Sequence, residues 1–468
     1  MNNYWTTTYN GGMQYQDSGD ANVEFFSKAG SIFKKSTPYY TSQPSVLDLF
    51  KGSWNENRVV SVKLMLWLRD CRGGAGNRSG FREILNWMAM NHTEWVRQNI
   101  HWIPQVGRWD DLRALFGTSL EQEAGQFWAK NLRAGNVLAA KWSDRSDYPV
   151  RIAMDMKIGD FRRFLANLRK QHIVEHNMCS GEWDKIAYES VPSVAMSRYT
   201  KAFQKNDAER FEDFKSALVK GEKTIHAGVL FPHDCVRTVK NGDLGIADAQ
   251  FEALPNYMED GEHTMVIADS SGSMSSIVAG SVRAIDVSTG MALYCSSKMP
   301  EESPFYKRFI AFGSEGELKD WRGMKFSQAL RNRNIFDGYV GSTNIHAALD
   351  TILNIAVSKG IPQRLMPKTL LIISDMQFDY GGVDRSTGSE VETALLRWNT
   401  AGYEIPKVVY WNTAGYAGSP AREIQKEVGM VSGFSPSILK AVFKNDDFTP
   451  RGIMMKALEK YNEIVIPE

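Results

Sequence analysis

At 468 residues the chain is too long for one ordinary core, so two domains are the first expectation. Apolar residues make up 43% and charged residues 23%, the profile of a soluble globular protein. The formal net charge of +1 excludes attraction of an anionic partner by the molecule as a whole, so any such attraction must come from a local patch.

The first 42 residues are polar and rich in Gly, Asn, Ser and Thr, with a short helical signal near Asn22–Ala29. The opening MNNYWTTTYNGG has neither the basic start nor the apolar stretch of a signal peptide. No apolar run approaches the roughly 18 residues that cross a bilayer. The four cysteines, Cys71, Cys179, Cys235 and Cys295, form no CxxC pair, which argues against a structural zinc site or a disulfide framework. A cytoplasmic protein with no membrane partner is expected.

From about Pro44 to His226 the pattern is helical. Val60, Leu64, Trp67 and Leu68 recur on one helical face, as do Phe81, Ile84, Leu85 and Met88, and Phe161, Phe164, Leu165 and Leu168. Gly73-Gly74, Pro104, Gly117, Gly135 and Pro149 break these segments. A succession of amphipathic helices with short turns predicts a solenoid-like array without a fixed sequence period. The helical half is mildly basic and the remainder mildly acidic.

After a polar stretch, Lys240–Glu262, β-type runs alternate with helical ones. Strands are predicted at His263–Ala268, Phe309–Phe312, Thr369–Ser374 and Lys407–Trp411, and helices at Ala279–Ser297, from Ile345, and at Glu390–Thr400. That alternation predicts a parallel sheet covered on both faces, which binds ligands at the carboxyl ends of its strands. The boundary falls near Glu259, giving a helical domain 1–258 and an α/β domain 259–468.

Three loops at that edge carry oxygen-bearing side chains. One supplies Asp269, Ser271 and Ser273, whose alternation lets all three face one side; the turn Gly341-Ser342-Thr343 supplies Thr343; and Asp375 follows the strand TLLIIS. A small hard cation such as Mg²⁺ takes about six oxygens and keeps some waters. Hydroxyls can ligate directly while carboxylates hold waters, leaving one open position for a partner's carboxylate or phosphate. The competing reading makes Ser271 and Ser273 caps of the helix that follows.

This pattern resembles the metal-ion-dependent adhesion site of von Willebrand factor A domains: Asp-x-Ser-x-Ser at 269–273, Thr343 in a Gly-Ser-Thr-Asn turn, and Asp375 after the fourth strand. The resemblance covers about residues 260–420. Family members often carry Gly where Met376 stands, a change expected to alter the loop but not the carboxylate.

Other chemistries fit less well. A hydrolase elbow needs Gly-x-Ser-x-Gly and a partner His, but the local sequence is Ala-Asp-Ser-Ser-Gly and His346 is expected to face along its helix. An aspartyl-phosphate mechanism would want an Asp where Ser271 stands. GGAGNRSG at 73–80 is neither a P-loop nor GxGxxG. His172 and His176, at helical spacing, read as a solvated pair.

In the first half, LRDCRGGAGNRSGFREIL (68–85), IPQVGRWDDL (103–112), EWDKIAYESVPSVAMSRYTKAFQKND (182–207) and GVLFPHDCV (228–236) resemble the TROVE module of Ro ribonucleoproteins and a related family of bacteria, phages and plants. TROVE followed by a von Willebrand A domain is the Ro architecture. The resemblance implies a ring of HEAT-like repeats closed by the A domain, binding small structured or single-stranded RNA without catalysis and linked to an exonuclease. Candidate RNA contacts are Arg69, Arg72, Arg78 and Arg82 around the glycines, and Arg162, Arg163, Arg169 and Lys170 on a second basic helix. For GRWDDL the favoured role is structural, a Trp and paired charges anchoring helices. Two alternatives stay open: a metal-dependent protein-binding adaptor that never meets RNA, and a metal-dependent nuclease or phosphatase.

Overall fold

The computed structural model describes residues 4–33, 38–40, 43–170, 174–225, 230–258, 263–335, 341–381 and 388–468. His172 and the boundary residue Glu259 lie outside them. Three strands precede the first break in the expected scheme: β1 (Trp5–Thr7) and β2 (Met13–Tyr15) form an antiparallel hairpin at the N-terminus, and β3 (Thr264–Asp269) opens the main sheet. Then come a small ribbon of β4 (Ile277–Ala279) and β5 (Val282–Arg283), β6 (Arg308–Phe312), β7 (Gly316–Asp320), β8 (Thr369–Ser374), β9 (Lys407–Asn412) and β10 (Val428–Ser432). The main sheet has six strands in the order β10-β9-β8-β3-β6-β7. Every residue of β3 and β8 is buried; since successive side chains point to opposite faces, both faces of the sheet are covered.

The sheet is mixed, where sequence predicts a parallel one. β7 runs antiparallel to β6, because the three residues Gly313–Glu315 are too few for a crossover. The helix expected from Ala279 begins at Ala284, displaced by the β4–β5 ribbon. The predicted apolar stripes do face inward: Leu64, Trp67, Leu68, Phe81, Ile84, Leu85, Met88, Phe161 and Leu165 are all buried.

Helices in the first half pack on near neighbours, Val46–Glu56 on Arg58–Arg69 and that in turn on Arg78–Asn91. The array meets the α/β part at both of its ends. At the start, helix Ala21–Lys28, capped by Asp20, packs on β10 and β9. At the finish, helix Pro232–Lys240 packs on Ala284–Ser297, and Leu244–Glu252 on Phe326–Arg331. The helical segment therefore leaves the sheet and returns to it, and one continuous core spans both halves. A smaller core around Tyr188, Phe203, Phe211 and Phe214 fills the return path.

Gly290 sets the approach at the returning end. A Cβ there would lie 2.9 Å from the Pro232 carbonyl carbon. In a free helix Gly→Ala stabilises by about 1 kcal/mol. Here overpacking costs about 1–3 kcal/mol, so Gly290→Ala is expected to lower the thermal midpoint, and a rise would show that the two helices part easily.

The distinctive glycine-rich motif is a tie between chain ends. Asp70 accepts hydrogen bonds from the backbone N–H of Arg72 (2.8 Å) and Gly73 (3.1 Å), and from the Tyr461 hydroxyl (2.9 Å), with Lys460 paired to the same carboxylate. Burial pushes its carboxyl up, but Lys460 and the Arg72 and Gly73 N–H bonds outweigh it and hold the group below its usual range. Asn77 donates to the carbonyls of Ala29 (3.0 Å) and Ile32 (2.6 Å) and caps helix Arg78–Asn91 through Gly80 N–H.

Candidate cation site

β3 and β8 are neighbours at the point where the strand order reverses, with Ala268 opposite Ile373, so Asp269 and Ser374 end their strands side by side. Ser374 Oγ donates to Asp269 Oδ2 at 2.5 Å, and Ser271 N–H donates to Asp269 Oδ1 at 2.8 Å. Ser288, from helix Ala284–Ser297, donates to the Asp269 carbonyl at 3.1 Å. Ser271 and Ser273 bring their hydroxyls to 3.1 Å of each other. Ser271 makes no capping bond to the short 3-10 turn Gly272–Ser275, so helix capping does not account for it.

Thr343 reaches the same place through its loop. Gly272 N–H donates to the Gly341 carbonyl (3.4 Å), and Asp379 N–H donates to the Thr343 carbonyl (2.9 Å), tying the second loop to the first and the third. Gln377 N–H donates to Asp375 Oδ1 at 3.1 Å. Met376 sits at φ 64°, in the left-handed region that favours glycine, with its N–H bonded to Ser374 Oγ. Asp375 nonetheless stays in place, fully buried.

The donor set fits a small hard cation. Asp269, Ser271, Ser273, Thr343 and Asp375 are between 0% and 4% exposed. Asp375 Oδ2 is buried without a hydrogen-bond partner among the described residues. Burial raises both carboxyls above their ordinary range, and for Asp269 the nearby charge of Asp375 adds to it. Two like charges and an orphan oxygen beside hydroxyls are what a divalent ion relieves. Among the described residues no group of three or more His, Cys, Asp or Glu could hold a metal, so a cation here depends on the hydroxyls.

Two residues from the N-terminal segment lie beside the candidate ligands. Asn10, at the turn of the β1–β2 hairpin, donates from Nδ2 to the Gln377 carbonyl (2.6 Å) and, weakly, to Thr343 Oγ1 (3.5 Å). Tyr40 donates its hydroxyl to Asn10 Oδ1 at 3.0 Å. Burial, then the charge of Asp375, pushes the Tyr40 phenol up to about 12, so it stays neutral. Sequence reading missed both residues. Asn10-Gly11 between short strands is a hairpin signal, but nothing local says what the hairpin covers.

His346 does not face along its helix. It is buried, with Nε2 2.7 Å from Glu390 and Nδ1 2.6 Å from Arg397. Arg397 can only donate, so Nδ1 accepts and the Nε2–H donates to Glu390. The cavity of about 730 Å³ beside β3 and β6 is lined by apolar residues, including Val236, Ile285, Phe309 and Phe312, and by charged ones, including Lys240, Asp286, Glu317, Lys319 and Arg331, and of the five candidate ligands only Asp269 reaches it.

The cationic candidates divide into two groups. Arg69 is 3% exposed and bonds Asp111 Oδ2 at 2.7 Å; Arg82 bonds the other Asp111 oxygen at 2.7 Å and Asp110 at 2.8 Å. Arg108 joins Asp110 and stacks 3.8 Å over Trp142. Arg169 donates to the carbonyls of Ala140 and Ser143. Those three candidates, Arg69, Arg82 and Arg169, thus hold helices together. Arg72, Arg78, Arg162, Arg163 and Lys170 are exposed, Arg163 beside Asp160.

Residues 8–141 and 157–271, more than half of the chain, match the model of a domain of unknown function, DUF2828. The chain belongs to the DUF2828 family. Residues 263–463 of this DUF2828 protein match a second domain of unknown function, DUF7788. An uncharacterised protein, L728, of Acanthamoeba polyphaga mimivirus is 24% identical over 525 aligned positions, covering 97% of the DUF2828 chain and 87% of the viral one. Among solved structures, the Ro (RSR) protein of Deinococcus radiodurans is similar over 94% of the chain and 99% of its own, at 12% identity and a TM-score of 0.47. Among the described residues no helix is long and apolar enough to cross a membrane.

Proposed function

We propose that the chain is a non-enzymatic RNA-binding protein of Ro type that holds a divalent cation, Mg²⁺ or a similar ion, at the carboxyl edge of its sheet. The observation that carries this reading is the meeting of three loops at Asp269, Ser271, Ser273, Thr343 and Asp375, with one buried carboxylate oxygen that meets no hydrogen-bond partner among the described residues. When bound, the cation supplies neutralisation of the two carboxylates and a Lewis-acid position for an oxygen ligand. The pattern of hydroxyls flanked by two carboxylates supports a von Willebrand A-type adhesion site over a hydrolytic one, since His346 is engaged by Glu390 and Arg397.

RNA enters through the resemblance of the helical half and through its exposed Arg72, Arg78, Arg162, Arg163 and Lys170. With a net charge of +1, affinity must come from those local cations and must fall steeply with salt. The adaptor reading, in which an exonuclease or other acidic partner docks on the ion, requires an open position beside Thr343, where Asn10 Nδ2 stands 3.5 Å from its hydroxyl.

Two measurements test the proposal. Sequencing of RNA that co-purifies with the native protein is expected to return enriched transcripts; none would move the assignment to the adaptor. Asp269→Asn is expected to weaken Mg²⁺ binding by at least the 10–100-fold seen when even outer partners of ligands are lost, with RNA affinity unchanged. Without a divalent ion the variant should be no less stable than its parent, because one of two buried like charges is gone. Mg²⁺ should raise the melting temperature of the parent alone; an equal rise in the variant excludes this site.

A further inference from the structure

We infer that Asn10 and Tyr40 are an internal cap on the cation site: the β1–β2 hairpin seats them where an acidic partner group must enter, so a bound cation keeps its waters and meets outside ligands only when the hairpin lifts. This rests on the cation reading above and concerns how that ion is reached.

The five ligand oxygens belong to residues almost without accessible surface, although they lie at a sheet edge where such a site would otherwise open to solvent. What closes the edge comes from the far N-terminus. Two three-residue strands are too short to persist alone, so the hairpin is held by docking. Its docking bonds run to the loop that follows Asp375 and to elements beyond it. Thr8 Oγ1 donates to the Phe378 carbonyl (2.6 Å), Tyr9 N–H to Gln377 Oε1 (2.9 Å) and Gly12 N–H to the Phe378 carbonyl (3.2 Å). Met13 N–H donates to Glu390 Oε1 (2.9 Å), and Tyr15 exchanges two backbone bonds of 2.9 Å with Ser419.

The chemistry of the cap is neutral. Asn10 turns an N–H donor toward Thr343, and at 3.5 Å this leaves the threonine oxygen free to serve a cation. Neither Asn10 nor Tyr40 brings the negative charge that a partner's carboxylate would add. The capped ion therefore keeps coordinated water in place of an anion, and displacement of the hairpin converts a closed site into an acid-binding one. Gly12 gives a handle on the docking that touches no ligand: a Cβ there would meet the Phe378 carbonyl oxygen at 2.4 Å.

The test uses the full chain loaded with Mn²⁺, read by water-proton relaxation, with acetate as the carboxylate probe. In the parent, relaxation enhancement should be low and insensitive to acetate. In Gly12→Val, and independently in Asn10→Ala, which leaves the backbone bonds intact, enhancement should rise several-fold and acetate should reduce it. Hydrogen exchange at Gly12, Met13 and Tyr15 should slow when Mg²⁺ is added to the parent. Tight Mn²⁺ binding with equal enhancement in all three proteins and Mg²⁺-independent exchange overturns the cap alone. Failure of every folded protein to bind Mn²⁺ overturns the cation reading and the cap with it.

Discussion

Asp111→Ala is expected to destabilise the fold by about 3–5 kcal/mol, the range for breaking a buried ion pair from one side. Its carboxylate is fully buried and holds Arg69 through one oxygen, Arg82 through the other, and the Arg108 N–H at 2.9 Å. Removing it strands the Arg69 guanidinium, which is 3% exposed and cannot lose its charge. The carboxylate joins helix Arg58–Arg69 to helix Arg78–Asn91 and to the 3-10 segment Trp109–Leu115, so the loss is felt across three elements. Chemical denaturation measures it. The double variant Asp111→Ala/Arg69→Leu should lose less than the single one, because no buried charge is left unpaired. A single variant within about 1 kcal/mol of the parent would show that water reaches the pair and that it behaves as a surface bridge.

Glu390→Ala is expected to cost about 1–3 kcal/mol, since the buried His346 Nε2–H is left without its acceptor, while the N–H groups of half-buried Met13 and exposed Gly381 can turn to water. The three bonds come from Met13 N–H (2.9 Å), His346 Nε2–H (2.7 Å) and Gly381 N–H (3.0 Å). Burial raises the Glu390 carboxyl, but the His346 bond and the two backbone bonds outweigh it and hold the group below its ordinary value of 4.5. A depressed folded value means that the carboxylate adds stability above that ordinary value, and that this stability is lost as pH falls through the folded one. Stability measured from pH 7 downward should therefore fall less steeply on the acid side in Glu390→Gln than in the parent. An identical acid limb would refute the role assigned to this carboxylate. Because Met13 belongs to the hairpin, the variant should also expose residues 5–15 to faster exchange.

The two halves of the chain, their helix and strand types and most inward stripes are legible in sequence because they follow from local periodicity. Leu64, Trp67 and Leu68, or the continuous apolar run of β8, announce their environment within a few residues. The candidate ligands are legible for a related reason: Asp269 with Ser271 and Ser273, and Asp375, stand directly after apolar runs that read as buried strands. The antiparallel β7 was not, because GELKD is a polar edge strand without an apolar period.

What sequence could not assign was the partner of each charge and the cover of the site. Arg69 and Arg72 stand three residues apart in one basic motif, yet one is sealed against Asp111 and the other faces solvent. The difference lies in which element packs over each side chain, and that element is some 40 residues away. Asn10 and Thr343 are more than 300 positions apart, and only the return of the helical segment to the sheet, with the N-terminal hairpin laid along the loop after Asp375, brings them together. Local patterning determined the elements and pointed to the candidate oxygen ligands; long-range packing decided which cationic side chains remain exposed and which residues lie over the candidate site, because burial and pairing are properties of neighbours that the chain meets only after folding.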